Sequence, residues 1–480
     1  MTPTDIAYLS AADIAAAVAG RRLSPVEVAS AVLDRIERSQ PVLNAFITVC
    51  RDEAMAAARA AEAAVMRGDV LGPLHGVPFS VKDLVATAGV RTTYGSLVLK
   101  DNVPTADALT VARMKRAGAI LVGKTTTPEF GHKPFTEAPL FGRTVNVWDR
   151  GRTSGGSSGG SAVAVAAGLG PLSIASDRGG STRIPAACNG IVGHKQTLGV
   201  VPDDAGLDAF GNWAYTTPTS RTVLDTALML GAMAGPDPSD PHSVDRVPVD
   251  YPAAVRAPGD LTGLRIAWAP YLGNDVAARE VLDLCARAAR SLTDFGASVD
   301  EAAFDLPPTE PDWMLMTQAF WHARFWDLHQ ANPGAISETL VRQMAKAETQ
   351  SAADLERAIF ARTRIYRTVQ EWFRRWDLVV MPTLSRTALP ADHDLFEPIV
   401  IDNRTTDTVR RSWYPYTHPF NLAGNPACTL PCGWASDGLP VALQIVGPWH
   451  ADALVLRAAA LLEAAHPWAD RRPPLPELDG

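Results

Sequence analysis

A chain of 480 residues with 47% hydrophobic and 20% charged residues has an ordinary globular composition, which excludes disorder and calls for a sizeable buried core. Its formal net charge of −8, with no run of five or six lysines and arginines, excludes a phosphate-backbone track as its main surface, so no nucleic-acid partner is expected. No stretch approaches about 18 uninterrupted apolar residues, and Met1–Ile6 lacks the basic-then-apolar order of a leader, so the expected setting is cytoplasmic with no membrane contact.

Five scattered cysteines, Cys50, Cys188, Cys285, Cys428 and Cys432, do not form a secreted disulfide framework. Cys428 and Cys432 have no second Cys or His pair nearby, so no metal is assigned, and no cofactor is called for. At this length, one large α/β domain and two closely packed ones are both open.

In chain order, Ser24-Pro25-Val26-Glu27 supplies a capping serine, a first-turn proline and a third-position glutamate ahead of Val28, Val32 and Ile36. This predicts a helix that stops at Gln40-Pro41. An alanine-rich helix follows from about Asp52 to a C-terminal cap at Gly68. Val77, Phe79 and Val81 then alternate as in a strand and put Lys82 on the opposite face. Next come a helix near Asp107 to Arg116, a strand Ala119 to Val122, a helix Ser161 to Ala167 and a strand Leu172 to Ser176. Gly263 to Ala269, a helix through Val281, Leu284 and Ala288 ending at Gly296, and a strand Ala297 to Val299 repeat the alternation, which predicts α/β architecture. The chain is helical and aromatic-rich from about Asp312 to Gln370, before strands Leu378 to Met381 and Val441 to Val446.

Two segments carry chemistry. Ser154 to Ser161 holds only serine and glycine and opens a helix whose free N–H groups face the loop, an arrangement suited to a working loop rather than a linker. Asp177 to Ala186 follows a strand and places Ser181 behind Gly179 and Gly180, where α/β proteins put reacting groups. Lys82 at a strand end, Ser157 in the glycine loop and Ser181 form a set.

On these residues the chain resembles the amidase signature family: Leu74-His75-Gly76-Val77-Pro78 to Val81-Lys82-Asp83, Gly155 to Ser161, and Asp177 to Ala186. Val122 to Phe130, Pro419-Phe420-Asn421 and Gly438-Leu439-Pro440-Val441 also look familial. The resemblance implies one large domain over 1–480, a central mixed β-sheet covered by helices on both faces. Within it, N-terminal helices would span 1–70, a signature core 70–235, a variable aromatic-rich substrate side 300–415, and a return to the core sheet 415–470. It further implies a Ser-cisSer-Lys triad, with Ser181 attacking a carbonyl, Ser157 relaying the proton, and Lys82 neutral at rest to receive it. Such a lysine needs its pKa lowered by roughly three units, so Asp83 must point away. Backbone N–H groups of Arg178, Gly179, Gly180 and Ser181 would hold the oxyanion of the tetrahedral state before an acyl-enzyme forms.

The resemblance thus points to hydrolysis of small, fairly apolar amides, anilides or carbamates by a monomer or homodimer. Esters share the same addition at carbon, so an amide, ester or carbamate is the expected partner. Two alternatives stand beside it: the A subunit of a tRNA-dependent amidotransferase, disfavoured because Ile184 stands where a glutamine is usual, and an inactive binding scaffold of the same fold. Arg178, His194 and Gln196 depart from the family pattern. Arg178 could be an ion-pair partner, set the pocket's charge or hold the loop. Gly118 to Thr125 satisfies a phosphate-loop pattern, yet its apolar middle reads as a strand. Gly156 to Gly160 fits a nucleophile elbow, but no buried strand precedes it. No histidine is assigned a role, His75 and His132 included. The aromatic group around Trp321 reads as helix packing or as an apolar wall over the site.

Overall fold

Ser24 starts a helix as its capping pattern requires: its Oγ accepts the Val26 N–H at 3.0 Å, and Glu27 Oε2 accepts the Ser24 N–H at 3.1 Å. In the structure, a computed structural model describing residues 1–274 and 276–479, this helix, α1, spans Pro25–Leu43. Of the expected span 1–480, Asp275 and Gly480 lie outside the described residues. The helix runs past the expected stop at Gln40-Pro41. Proline removes one backbone donor, and the end is set instead by Asn44, left-handed at φ 50°, whose N–H reaches Gln40 O at 3.1 Å. The Gln40 amide then pairs with both the N–H and the C=O of Phe46 at 2.9 and 2.7 Å. The alanine-rich helix α2, Arg51–Arg67, ends at left-handed Gly68 as its sequence predicts.

An eleven-stranded sheet forms the centre. Its strands are β1 (Phe46–Val49), β2 (Pro78–Lys82), β3 (Ile120–Thr125), β4 (Leu172–Asp177), β5 (Val192–Lys195) and β6 (Tyr215–Ser220), followed by β7 (Arg265–Trp268), β8 (Ser298–Glu301), β9 (Leu378–Pro382), β10 (Ala427–Trp434) and β11 (Pro440–Val446). Their spatial order is β1-β3-β2-β4-β6-β5-β10-β11-β9-β7-β8. The sheet is mixed: β2 runs parallel to β3 and β4, and β7 to β8 and β9, while the remaining neighbours are antiparallel. Both faces are covered, because alternate residues of one strand enter different cores. Leu378 and Val380 join one buried cluster, while Val379 and Met381 join another. Such strands read as apolar runs rather than alternating ones.

The helices that bear on the site continue with α3 (Leu109–Arg116), α4 (Gly159–Ala166), α5 (Arg183–Asn189), α6 (Val223–Met233) and α7 (Arg279–Ser291). The aromatic-rich region then folds into α8 (Glu310–Ala331), α9 (Glu338–Ala345) and α10 (Ala352–Trp372), whose apolar residues enter the same cluster as Val379 and Met381. Helices α11 (His418–Ala423) and α12 (Asp452–Ala465) follow. Among the described residues no helix is long and apolar enough to cross a membrane. The one topological fact that positions the site is that β2 and β4 are parallel neighbours, with Val81 opposite Ile174. Their carboxyl ends, Lys82 and Asp177, therefore emerge side by side.

Candidate active site

Lys82, the last residue of β2, is wholly buried. Its Nζ lies 2.7 Å from Ser157 Oγ and 2.9 Å from both Ser158 Oγ and Ser176 Oγ. Ser157 is presented by the glycine-serine loop that opens α4, and the Gly156–Ser157 peptide is cis, as the resemblance implied. Burial pushes the Lys82 ammonium down to about 7, opposed in part by the charge of Asp177. Asp83 does point away: its Oδ2 accepts the Thr93 hydroxyl at 2.5 Å and the Thr93 N–H at 2.9 Å. Behind Ser157 sits Gly131, left-handed at φ 71°, where a Cβ would come within 3.2 Å of Ser157 Oγ and 2.8 Å of Leu84.

The loop carrying Ser181 is held from below by one buried ion pair. Asp177 Oδ1 accepts the Gly180 N–H at 2.7 Å and Arg183 Nη2 at 3.0 Å, while Oδ2 accepts the Thr182 N–H at 3.2 Å and Arg183 Nε at 3.0 Å. Arg183 spends its remaining donors on Thr417 O, Gln444 Oε1 and Asn421 Oδ1 at 2.9, 2.8 and 2.6 Å, so all five are satisfied. Burial alone raises the Asp177 carboxyl, but Arg183 and Asn421 hold it well below the usual carboxylate range. Two loop carbonyls are tied back as well: Trp313 Nε1 donates to Arg178 O at 3.1 Å, and Thr417 Oγ1 to Gly179 O at 2.7 Å. Gly179 must lack a side chain, because a Cβ there would overlap the Trp313 ring.

The four N–H groups expected to face an oxyanion are not equivalent. That of Gly180 donates to Asp177 Oδ1 at 2.7 Å. Those of Arg178, Gly179 and Ser181 carry no hydrogen bond within the described residues. Ser181 is half-buried, and its carbonyl accepts the Ser158 N–H at 3.1 Å, which joins the two serine loops.

Ser157, Ser181 and Gly179 line a cavity of about 160 Å³ whose far wall is aromatic: Phe130, Trp313, Phe320, Trp321, Phe325 and Tyr414. Phe130 and Phe325 stack at 3.9 Å between centroids. Trp321 lines the cavity and is also packed in the buried cluster beneath it, so both readings of this residue hold at once. Arg178 also lines this cavity, and the ion-pair reading of it fails. No carboxylate lies within salt-bridge reach among the described residues; its guanidinium lies over the rings of Trp213 and Phe320, at 4.4 and 3.8 Å. The other two departures are structural. His194 Nε2 meets Asp452 Oδ1 at 3.1 Å, tying β5 to α12, and Gln196 Nε2 donates to Thr216 O at 2.9 Å.

Sequence reasoning missed Ser158 and Ser176 as partners of Lys82, and missed the roles of Thr417, Asn421 and Gln444. Asn421 lay in a stretch that looked familial, but nothing local showed that it would meet Asp177. The phosphate-loop pattern is a strand, as read: Lys124 is buried in β3, where it donates to Thr87 Oγ1 and Thr92 Oγ1 at 2.9 Å each. His132, unassigned in sequence, lines the cavity with Nδ1 on Glu129 O and Nε2 on Thr339 Oγ1, both at 2.7 Å. Burial, then the nearby Lys133 charge, keeps this imidazole neutral. Among the described residues no three His, Cys, Asp or Glu side chains are grouped to hold a metal ion.

Comparison with known proteins bears on this arrangement. The profile of the family described as Amidase matches residues 27–456. An acylamidase of Rhodococcus erythropolis is 40% identical, with 98% of each chain covered. The A subunit of the glutamyl-tRNA(Gln) amidotransferase of Acidothermus cellulolyticus is 36% identical over 96% of this chain and 95% of that one. In three dimensions, a bacterial aryl acylamidase belonging to the amidase signature enzymes superposes with a TM-score of 0.90 at 31% identity, covering 96% of this chain and 97% of the other.

Proposed function

The chain belongs to the Amidase family, the amidase signature enzymes, and is an amide-hydrolysing enzyme; on that footing we propose that Ser181 is its nucleophile, Ser157 its proton relay and Lys82 its base. The observation that carries the reading is the 2.7 Å contact of Lys82 Nζ with Ser157 Oγ, in a serine loop that borders the same cavity as Ser181.

Proton bookkeeping supports it. The Ser158 hydroxyl donates to Ser176 O at 3.1 Å, so its oxygen accepts from Lys82. A neutral amine has two hydrogens, which go to Ser158 and Ser176, and its lone pair then faces Ser157. As Ser181 Oγ adds to the carbonyl carbon, its proton passes to Ser157 while the Ser157 proton passes to Lys82. The oxyanion is received by the N–H groups of Arg178, Gly179 and Ser181, of which each such donor typically contributes about 2.7 to 4 kcal/mol. Collapse breaks the carbon–nitrogen bond, and the amine leaves with the proton returned through Ser157. Water then adds to the acyl-enzyme by the same relay and releases the acid.

The substrates proposed are small, fairly apolar amides, anilides and carbamates. An apolar cavity near 150 Å³ accommodates a benzene ring, and this one, at about 160 Å³ with aromatic walls, is of that size. A panel of acetanilide, acetamide and a phenyl carbamate, run against wild type and Ser181→Ala, tests the proposal together with mass spectrometry after an organophosphonate. Full turnover by Ser181→Ala, or an adduct elsewhere than Ser181, ends it. The amidotransferase reading is weaker, since apolar Ile184 lines the cavity at the place where glutamine is usual in such proteins. Release of ammonia from glutamine by the purified chain would restore it.

A further inference from the structure

The side chains over the catalytic serine do not fit a purely apolar substrate. On α8, Trp313, Thr317 and Trp321 are spaced four apart and share one face, and Phe320 and Arg324 form the adjacent row. Thr317 is 1% exposed, lines the cavity, and its Oγ1 has no hydrogen-bond partner. A helical threonine ordinarily bonds back to the carbonyl four residues earlier; this one does not. On the same cavity, the Arg178 guanidinium lies over the rings of Trp213 and Phe320. Its Nε is buried without an acceptor. Arg324, exposed at the rim, has no ion pair either among the described residues.

The carboxylates that face this group are already engaged. Asp203 accepts the Ala205 N–H at 3.2 Å and Asn212 Nδ2 at 3.3 Å, and Asp208 accepts the Gly211 N–H at 2.8 Å. They attract Arg178 across space without bonding to it, whereas Arg324 and Arg362 repel it. Burial first, and Arg324 second, push the guanidinium down to about 9. Arg362 is spent on Gly211 O, Asn212 O and Leu422 O. Charges of both signs thus act on Arg178 from a distance, and none of them takes up the hydrogen-bonding capacity of Arg178 Nε and Thr317 Oγ1.

We infer that the cavity selects amides bearing a carboxylate on the group that enters it, received in the plane of Arg178 with the Thr317 hydroxyl as second donor. A carboxylate can accept from a guanidinium fork and from a hydroxyl at once, and such charge-assisted bonds are roughly twice as strong as neutral ones. The inference rests on the serine-hydrolase reading above and narrows its substrate class. The charge can sit on either side of the scissile bond, so the test has two arms. One compares 4-acetamidobenzoate with 4-nitroacetanilide, where the nitro group is a neutral isostere on the amine side. The other compares 4-carboxybenzanilide with 4-nitrobenzanilide on the acyl side.

In at least one arm, the carboxylate-to-nitro ratio of kcat/KM should fall by roughly tenfold to a hundredfold from wild type to Arg178→Met. Arg178→Lys should retain part of it, and Thr317→Val should lower the carboxylate substrate by several-fold. Ratios cancel differences in leaving-group reactivity and any loss common to all substrates. A ratio unchanged within about twofold in both arms overturns the inference while leaving Ser181 chemistry standing. Should the variants misfold, calorimetry on wild type decides: benzoate should bind about tenfold tighter than nitrobenzene, and equal affinities overturn the inference without reference to turnover.

Discussion

The floor and the wall of the active site are built on opposite principles. Below Ser181, Asp177 and Arg183 form a closed network in which all five guanidinium donors are used and both carboxylate oxygens are bonded. Above it, the wall of α8 is held mainly by ring contacts, with the Trp313 Nε1 bond to Arg178 O tying it to the loop, and Thr317 Oγ1 and Arg178 Nε are left unbonded. A closed polar network admits one arrangement, whereas aromatic packing tolerates change of shape at modest cost. The difference teaches that the reaction is set by the floor and the choice of substrate by the wall. Damage below should therefore hit all substrates alike, and damage above should re-rank them.

The largest effect should come from Lys82→Met, which fills the volume but cannot take a proton. Loss of a positioned base typically removes 10² to 10⁴-fold, so kcat/KM should fall by about 10³-fold or more, to the same extent for acetanilide and acetamide. A loss confined to one of the two substrates would break the division between floor and wall.

Next is Asp177→Asn, which leaves the Arg183 guanidinium buried beside a neutral amide. Removing one partner of a buried pair costs roughly 3 to 5 kcal/mol, measurable as a lowered midpoint in urea denaturation. Stability within about 1 kcal/mol of wild type would mean that Asn421 and Gln444 alone can hold the arginine.

The pH dependence should follow Lys82. Its neutral form predominates above about 7, so kcat/KM should rise about tenfold per unit up to that pH and level off beyond it. Stability has a matching sign. Folded Lys82 binds a proton less readily than unfolded Lys82, so the buried ammonium penalises the folded state in full below about 7. That penalty fades as pH rises toward the unfolded value near 10.4. Relative to Lys82→Met, wild type should thus gain several kcal/mol between pH 6 and pH 10. The variant removes the amine from three serine hydroxyls, of which Ser158 keeps its bond to Ser176 O, so the slope with pH is the readout. A flat difference would mean that the lysine is solvated.

What could be read in the sequence follows the same division. Capping at Ser24, the left-handed stop at Gly68 and the strand ending in Lys82 are local, and local patterns sufficed for them. Strand β6 escaped because Tyr215-Thr-Thr-Pro-Thr-Ser220 carries no apolar alternation; its buried threonines bond sideways, as Thr182 Oγ1 and Thr217 Oγ1 do at 2.5 Å. β1 has only four residues and no turn signal to frame it. The groups that complete the floor come from positions more than 230 residues beyond Asp177 and Arg183, and no spacing rule reaches that far. Arg178 was noticed as a departure, but its contact with Trp213 and Phe320 depends on a loop and a helix that meet only in the fold.

The smallest effect should be that of Trp321→Ala. Trp321 reaches the cavity on the same face of α8 as Thr317 and meets His132 edge-on at 6.3 Å, so truncation removes ring surface near the substrate and touches no reacting atom. Losing apolar contact of that kind amounts to about 1 to 3 kcal/mol, and it should appear in KM for acetanilide, raised roughly tenfold, with kcat little changed. Acetamide has no ring to lose and should respond by less than about twofold. If instead kcat fell equally for both, the indole would be supporting the Ser157 loop through His132, and the boundary between floor and wall would have to be redrawn one residue higher.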